Sequence, residues 1–300
     1  MAKAAIIHNP GGGSASDEDL ARAKEILCGH FGQCDVHVVD GDASPGVLAE
    51  RALASGSRLL IAAGGDGTVS SVAATLIGHP EASLGILPRG TANSIAGCLG
   101  IPSDLEGACA VIAGGHARLI DTGRVNGRPM ILLATIGVHA DAIVEADPER
   151  KRRYGALAYV LEEVSRMLDG ELFDVTIEAN GQRGTFAANA VTVANLAPPG
   201  NLLAQGPATI DDDDGLLDVT VVAIRGFGEA LATSFHLATR ALLEQPAERE
   251  NVGFFRTKSV RIETAAPRRV MVDGEDAAET PITIEALPKS LRVLVPADAE

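Results

Sequence analysis

The sequence predicts a chain of two domains, an N-terminal doubly wound α/β domain and a C-terminal, mostly antiparallel β-sandwich domain. The chain has 300 residues, and single hydrophobic cores stop growing at roughly 250–300 residues. Over positions 1–123 short apolar runs alternate with helical stretches of about ten residues, which is typical of a parallel α/β sheet. Over positions 124–287 strands mostly follow one another directly, which favours antiparallel pairing. The last residues, about 288–300, are candidates to return to the first domain.

The first domain is predicted from four short apolar runs, each bounded by turn residues. Helices are expected between them, because apolar side chains recur there at helical spacing. The first helix would carry Leu20, Ala23 and Leu27 on one face, with Ser16 as its N-cap. The predicted strands are residues 4–8, 36–39, 59–63 and 83–87, and the other helices are residues 45–54 and the stretch after residue 68.

Residues 59–68 form the centre of this domain. An uncharged apolar run ends there in Gly64-Gly65-Asp66-Gly67-Thr68, and helical spacing begins directly afterwards. Glycines leave no Cβ between the main chain and a ligand, and the N–H groups that open a helix favour anions such as phosphate. Asp66 would repel a bare phosphate, so we expect it to act through Mg²⁺ or to accept a proton. The alternative is an ordinary strand-to-helix turn in which Asp66 is a cap.

Two further loops of this kind follow predicted strands. One is Asn9-Pro10-Gly11-Gly12-Gly13-Ser14, and the other is Pro88-Arg89-Gly90-Thr91-Ala92-Asn93-Ser94. Because ligands of doubly wound sheets gather outside the carboxyl ends of the strands, we expect the three loops to converge on one crevice. Arg89 is a candidate phosphate contact, with a surface role as the equal alternative.

The second domain is predicted from eight strands and two helical stretches. The cleft between the two domains is the default position for a ligand site. The strands are residues 130–136, 173–179, 185–194, 217–224, 259–263, 270–272, 282–285 and 291–295, and the helical stretches are residues 154–169 and 227–244.

Composition narrows the classes of function. The net charge of −15 argues against a nucleic-acid binder, which would normally present a basic face. The four cysteines show no C-x-x-C spacing, so we expect no zinc site and a reducing, cytoplasmic location. The N-terminus shows no apolar signal segment, and the longest uncharged run, residues 186–210, is broken by prolines and is not expected to span a membrane.

Motifs spread along almost the whole chain carry a family resemblance. In the first half they are Asn9-Pro10-x-x-Gly13, Gly64-Gly65-Asp66-Gly67-Thr68 and Gly90-Thr91-Ala92-Asn93. In the second half they are Gly137-Val138-His139-Ala140-Asp141-Ala142, Asn195 with Gly206-Pro207-Ala208, Asp213-Asp214-Gly215-Leu216-Leu217-Asp218 and Val272-Asp273-Gly274-Glu275. Together they resemble the diacylglycerol kinase catalytic domain family, which also holds sphingosine kinases, ceramide kinases and bacterial lipid kinases. The glycine–Asp turn alone is shared with NAD kinases and phosphofructokinases, so the later motifs decide the match.

The resemblance implies an ATP- and Mg²⁺-dependent lipid kinase, with residue roles carried over by position. Glu275, with Asp273 beside it, would accept the proton of the lipid hydroxyl. Asp66, Asp121 and Asp273 would join a carboxylate–water–Mg²⁺ network under the nucleotide phosphates. The residues implied to bind ATP are Asn9, Pro10, Gly11, Gly12, Gly13, Gly64, Gly65, Asp66, Gly67, Thr68, Val69, Ser70 and Thr91.

A structural Mg²⁺ is also implied, held by Asp211, Asp214 and the carbonyl of Leu216. The plainer interpretation of this acidic segment is a solvated loop, and that of residues 273–275 is an exposed acidic hairpin turn. Gly215, which follows the acidic segment, favours a folded cation-binding loop over a solvated loop.

Two departures from the family pattern bear on activity. Ser94 stands where the family commonly has Asp, and Asp40-Gly41-Asp42 replaces a loop that often carries a nucleotide-contacting Thr. The alternatives left open are an NAD kinase-like enzyme and a catalytically weak regulator that binds nucleotide or lipid.

The implied partner is a lipid substrate met at the membrane surface, with no nucleic acid. We expect a cytoplasmic protein that contacts the inner membrane surface transiently, and a homodimer is among the assemblies that the sequence leaves open. Basic residues 150–153 could meet anionic lipid headgroups, or they could neutralise acidic neighbours.

Overall fold

The computed structural model describes residues 3–11, 17–137, 172–197, 210–223 and 252–297. Gly12, Gly13, the helical stretches predicted at 154–169 and 227–244 and the basic residues 150–153 lie outside the described residues. The chain forms two compact units, one of residues 1–121 with 289–300 and the other of residues 122–288. The assignment of nucleotide to the first unit and lipid to the second stays a prediction.

The first unit is built on a parallel sheet in the order β2-β1-β3-β4. All five residues of β1 and all six of β3 are buried, as continuous apolar runs are in sheets covered on both faces. These strands are β1 (Ala4–His8), β2 (Cys34–Val38), β3 (Leu59–Gly64) and β4 (Ser83–Pro88).

Five helices accompany this sheet: α1 (Asp17–Phe31), α2 (Pro45–Ala54), α3 (Asp66–Leu76), α4 (Ser94–Cys98) and α5 (Leu105–Gly114). The Ser44 hydroxyl caps α2 by accepting the Val47 N–H, and Asp104 caps α5 through the Gly107 N–H. Helices α1 and α5 pack on each other, as do α2 and α3. The sequence interpretation missed α4 and α5.

The sheet order creates a crevice at the carboxyl ends of β1 and β3. From β1 the chain passes through α1 to β2 on one side, and from β3 it passes through α3 to β4 on the other. Right-handed crossovers in opposite directions place α1 and α3 on opposite faces. The connections that follow β1 and β3 therefore lead in opposite directions. Doubly wound sheets bind ligands at the point between two such strands.

The second unit is a β-sandwich. One sheet has the order β16-β13-β8-β9 and the other the order β12-β11-β10-β7-β14-β15, and their pairings are antiparallel. Apolar side chains of both sheets, such as Ile177, Ile262, Val193 and Val270, share one buried core. The fold class predicted from the sequence is confirmed.

The strands of this part of the chain are β5 (Ala117–Val125), β6 (Arg128–Met130), β7 (Leu133–Gly137), β8 (Phe173–Ala179), β9 (Gln182–Ala188), β10 (Ala190–Ala194), β11 (Leu217–Val222), β12 (Val252–Thr257), β13 (Ser259–Thr264), β14 (Arg269–Val272), β15 (Glu275–Glu279) and β16 (Ile282–Leu294). Strand β5 begins in the first unit and ends in the second, and β16 runs the other way.

Three strand predictions were wrong in their continuity. The strand predicted at 130–136 is divided between β6, which ends at Met130, and β7, which begins at Leu133 in the other sheet. The strand predicted at 185–194 is two strands, β9 and β10, which lie in different sheets. The chain changes sheets at Asn189, whose backbone N–H donates to the Val222 carbonyl at 2.8 Å. The strands predicted at 282–285 and 291–295 are one strand, β16, which tolerates Pro288 and the positive φ of Lys289 (49°) in its interior.

Gly137, which ends β7, shows why a glycine opens its motif. Its φ is +95°, and a Cβ there would overlap the Asn189 carbonyl oxygen. A larger residue would therefore disturb the point at which the chain passes from β9 to β10.

Candidate functional site

Two of the predicted loops lie directly against each other in the first unit. The Arg89 N–H donates to the Gly64 carbonyl at 2.9 Å, extending the pairing of β3 with β4 beyond Pro88. A Cβ on Gly90 would lie 2.5 Å from the Gly65 Cα. The two backbones therefore meet at positions where only glycine leaves enough room.

Asp66 joins the same two loops through its carboxylate. Its Oδ2 accepts the Ser94 N–H at 2.9 Å and its Oδ1 accepts the Ile95 N–H at 3.0 Å. These N–H groups open α4 and have no partner within that helix, so Asp66, the first residue of α3, caps α4. Asp66 therefore caps α4 and not the helix of its own turn, and each oxygen keeps a lone pair for a further partner.

Asn93 closes the second loop on itself. Its Oδ1 accepts the Gly90 N–H at 2.7 Å, and its Nδ2 donates to the Gly90 carbonyl at 2.8 Å. The residue adopts the left-handed conformation, with φ at 49°, which Asn tolerates better than most side chains. Thr91 lies in this closed loop with its side chain exposed.

Asn9 ties the first loop to α3. Its N–H donates to the Ala63 carbonyl at 3.0 Å, its Nδ2 donates to the Thr68 hydroxyl at 3.0 Å, and its Oδ1 accepts the Gly11 N–H at 3.1 Å. A Cβ on Gly64 would lie 2.5 Å from the Thr68 Oγ1. The missing side chain of Gly64 therefore makes room for the Asn9–Thr68 contact.

The N-terminus of α3 lies where these loops meet, since its N-cap residue Gly65 approaches Gly90 and its first residue Asp66 bonds the start of α4. No side chain within the described ranges caps the first N–H groups of α3, and the positive end of the helix dipole adds to the attraction of these groups for an anion. Most of the described residues that were predicted to bind ATP thus lie along one edge of the sheet. The exceptions are Pro10, which is exposed, and Val69, which is buried in the core. Val69, 3% exposed, could contribute through its backbone alone.

Asp121 and Asp273, the other predicted network carboxylates, also hold backbone. The buried Asp121 accepts the Lys289 N–H at 2.7 Å, where β16 enters the first unit. In the second unit, Asp273 accepts the N–H groups of residues 131, 132 and 133 at 2.8, 2.8 and 3.1 Å. Each carboxylate therefore fixes a segment far from it in sequence.

The segment at residues 131–133 is the bend between β6 and β7, and two motifs meet on it. Asn195 donates its side-chain amide to the Ile131 carbonyl at 2.9 Å and its backbone N–H to the Leu132 carbonyl at 2.8 Å. Asp273 and Gly274, with φ at 51° and 87°, form the two-residue turn of the β14–β15 hairpin. Glu275, the predicted base, opens β15 with its side chain exposed, whereas Asp273 in the turn is half-buried. The segment is a hairpin turn, and the role of Glu275 as a base stays a prediction.

The acidic loop before β11 contains two groups of charges. Carboxylate oxygens of Asp211, Asp212 and Asp213 lie within 4.8 Å of one another, close enough to share a cation. Asp214 accepts the Leu216 N–H at 2.8 Å through Oδ1, and its Oδ2 lies 3.2 Å from Arg256 Nη1. The predicted metal ligands Asp211, Asp214 and Leu216 thus share a loop in which Asp214 is already paired.

Asp218, which stands in a family motif, pairs with Arg256, and the sequence interpretation did not predict this pair. Arg256 Nε lies 3.0 Å from Asp218 Oδ1, and the Asp218 side chain is 2% exposed. Burial raises the pKa of Asp218 to about 6, against the opposing effect of Arg256. No local pattern indicated this pair, because the partners are 38 residues apart.

Two family descriptions match the chain. "Diacylglycerol kinase catalytic domain" matches residues 3–125, and "YegS C-terminal NAD kinase beta sandwich-like domain" matches residues 134–295. The two matches follow the order of the α/β unit and the sandwich.

Relatives similar to this chain come from several bacteria. An uncharacterised Synechocystis protein is 39% identical over 83% of this chain, which spans 57% of that protein's length. A Xanthomonas campestris protein named "Probable lipid kinase YegS-like" is 33% identical over 96% of this chain and 94% of its own. A Staphylococcus epidermidis protein named "Diacylglycerol kinase" is 31% identical over 83% of this chain and 78% of its own.

Solved structures share the fold. One of a diacylglycerol kinase from Bacillus anthracis has a TM-score of 0.76 at 23% identity and covers 99% of this chain and 98% of its own. Yeast NADH kinase has a TM-score of 0.54 at 12% identity and covers 99% of this chain and 84% of its own. At these identities the likeness shows the fold alone.

The contacts of Asp273 predict a large effect of a small change. Asp273→Asn puts an amide N–H₂ against one of three backbone donors and removes the charge that strengthens the other two bonds. We expect the free energy of unfolding to fall by about 2–4 kcal/mol in urea titrations. The matched control is Asp276→Asn in the same hairpin, whose pair with Arg269 is exposed and should contribute under about 0.5 kcal/mol. Equal losses in the two variants would contradict the framework role.

Proposed function

Since the chain is a kinase that belongs to the diacylglycerol kinase catalytic domain family, we propose that it transfers the γ-phosphoryl group of ATP to a lipid hydroxyl, such as that of diacylglycerol, in a Mg²⁺-dependent reaction. The observation that carries this proposal is the joined set of loops at the carboxyl ends of β1, β3 and β4. Asn9, Gly64, Asp66 and Gly90 hold these loops together with the uncapped N–H groups of α3 at their centre.

Phosphoryl transfer makes modest demands that this site can meet. The protein has to position donor and acceptor and compensate the charge of the phosphate oxygens, with little covalent chemistry of its own. Backbone N–H groups at a helix N-terminus supply such compensation without rearrangement. The described residues proposed to bind ATP are Asn9, Pro10, Gly11, Gly64–Ser70 by backbone and side chain, and Thr91.

Glu275 is the proposed general base. As the lipid hydroxyl oxygen attacks the γ-phosphorus and the bond to the bridging oxygen of ADP breaks, the hydroxyl proton passes to the Glu275 carboxylate. The exposed position of Glu275 at the start of β15 leaves it accessible to a substrate. Asp273 keeps the turn before it in place through three backbone bonds.

Mg²⁺ is proposed at two places, and the donor atoms fit both in chemistry. Asp66, Asp121 and Asp273 offer oxygens that keep lone pairs beside their backbone bonds, so they can hold the hydrated ion through water. When bound there, Mg²⁺ would neutralise charge on the nucleotide phosphates. The second place is the loop of Asp211, Asp214 and the Leu216 carbonyl, and the clustered carboxylates of Asp211, Asp212 and Asp213 in that loop support a structural ion there.

The lipid would be reached by peripheral contact at a membrane surface. No helix within the described ranges is long and apolar enough to cross a membrane. An NAD kinase-like activity has one observation in its favour, the fold shared with yeast NADH kinase, and NAD is therefore included as an acceptor in the test.

The test measures ADP release with Mg²⁺–ATP against diacylglycerol, monoacylglycerol, phosphatidylglycerol, sphingosine and NAD in turn. We expect release with at least one lipid, none with NAD, and loss of activity when a chelator removes Mg²⁺. Release with NAD alone would favour the NAD kinase-like alternative. ATP binding without release on any acceptor would favour the regulator.

Glu275→Gln separates catalysis from nucleotide binding. A base acts on the acceptor proton, so kcat should fall by about 10²–10⁴-fold while ATP affinity stays unchanged. Glu279→Gln is the matched control, since Glu279 is an exposed glutamate at the other end of β15. Normal turnover in Glu275→Gln would show that the base lies elsewhere.

The structural ion predicts a melting temperature that depends on Mg²⁺. The wild type should melt at a higher temperature in Mg²⁺ than in chelator, because an ion that binds only the folded loop stabilises it. In Asp214→Asn this difference should shrink, and the lost pair with Arg256 should lower both melting temperatures. If the wild type melts at the same temperature with and without Mg²⁺, the loop holds no stabilising ion, and Asp214 serves Arg256 alone.

A further inference from the structure

Arg89 carries a buried charge at the edge of the candidate site. It follows β4 directly, and its backbone N–H bonds the Gly64 carbonyl at 2.9 Å. Its side chain is 13% exposed. The Nη2 atom is inaccessible to solvent and has no hydrogen-bond partner among the residues that the structure describes. Buried polar groups are nearly always hydrogen-bonded, so this donor requires an explanation.

The acid nearest to this guanidinium satisfies it poorly. Asp19 Oδ2 lies 3.8 Å from Nη1, at the limit of an ion pair, and the Asp19 side chain is 37% exposed. Arg89 also acts on the buried Cys109 thiol in α5. Burial raises the pKa of that thiol to about 11, and the positive charge of Arg89 opposes the rise. With its side chain only 13% exposed, the guanidinium is largely shielded from bulk water.

The cavity beside Arg89 connects it with the nucleotide loops. His8, Ala63 and Leu87, from the ends of β1, β3 and β4, line it together with Asp19 and Leu20 of α1 and Leu105 of α5. One carboxylate, that of Asp19, therefore shares the cavity with Arg89. His8 and Ala63 immediately precede Asn9 and Gly64. The cavity therefore lies just below two of the glycine-rich loops, and Arg89 is the one permanent cation among the residues that line it.

We propose that Arg89 binds a phosphate group of the nucleotide, its buried Nη2 donating to a phosphate oxygen at the inner end of the crevice. A guanidinium presents a planar fork of N–H donors that matches phosphate oxygens. In a chain with a net charge of −15, an anionic ligand also needs a local cation. This inference rests on the proposed function, since ATP is the phosphate source that the reaction brings to these loops.

The experiment measures ATP and adenosine affinity by calorimetry in the wild type, Arg89→Met, Arg89→Lys and Arg22→Met. Arg89→Met should weaken ATP binding by about 10- to 100-fold through the loss of a charge-assisted bond, with adenosine affinity unchanged. Arg89→Lys keeps the positive charge but lacks the planar guanidinium, so its ATP affinity should lie between those of the wild type and Arg89→Met. Arg22→Met is the matched control, because Arg22 is a cation on α1 that pairs with Glu106 at the surface.

Further measurements exclude a purely structural role. If Arg89 waits for a ligand, the nucleotide-free Arg89→Met protein should melt no lower than the wild type, since it loses a poorly satisfied buried charge. A lower melting temperature with ATP affinity unchanged would show that Arg89 serves the Asp19 contact instead, and would overturn the inference. If Arg89→Met does not fold, Arg89→Lys decides: unchanged ATP affinity in that variant overturns it.

Two further outcomes distinguish nucleotide binding by Arg89 from a separate phosphate site and from a failure of the proposed function. Inorganic phosphate should bind the wild type weakly and in competition with ATP, so phosphate binding that depends on Arg89 without competing with ATP would overturn the assignment to the nucleotide. A wild type that binds no ATP would contradict the proposed function, and this inference with it.

Discussion

The candidate site depends on one carboxylate, that of Asp66, and on the two backbone N–H groups of Ser94 and Ile95 that it accepts. Bonds to a charged acceptor contribute about 1.5–3 kcal/mol each, and a buried donor left without a partner costs about as much. Removing the carboxylate would leave the first N–H groups of α4 without an acceptor. The loop that holds Thr91 would then lose its main tie to the loop that begins α3.

Asp121 and Asp273 make the same kind of interaction: each carboxylate accepts backbone N–H groups from a distant part of the chain. It gives the acids a structural reason to be present before any metal or substrate arrives. A carboxylate oxygen that accepts one N–H can still accept from water, so the framework role and the proposed Mg²⁺ role are compatible in one side chain.

Ser94, a departure from the family pattern, lies inside this arrangement. Its side chain is buried, and its N–H is bonded to Asp66. An Asp at this position would bring a second negative charge close to the Asp66 carboxylate, and like charges that share a site disfavour each other. The neutral hydroxyl avoids that cost, and it leaves the proposed phosphate site with less negative charge for Mg²⁺ to balance.

The sequence predicted the parts of the fold and the site that local patterns carry. Buried runs such as β3 and glycine turns such as residues 64–68 follow from residue type alone, because burial selects apolar residues and close approach to the backbone, as at Gly64, selects glycine. Strand β15 was missed because Glu-Asp-Ala-Ala-Glu has neither alternation nor β-branched residues. The backbone bonds of Asp273 were not predictable, because they join residues 140–142 positions apart.

The central claim is that Asp66 assembles the nucleotide loops before nucleotide binds. The most direct test is residue-resolved amide hydrogen exchange in the nucleotide-free protein. Ser94 and Ile95 have no helical acceptor, so protection of their amides reports on the Asp66 bonds. The account predicts that both amides are protected in the wild type and exchange at least about tenfold faster in Asp66→Asn, while Ile61 in β3 keeps its protection. Unprotected Ser94 and Ile95 amides in the wild type would contradict it.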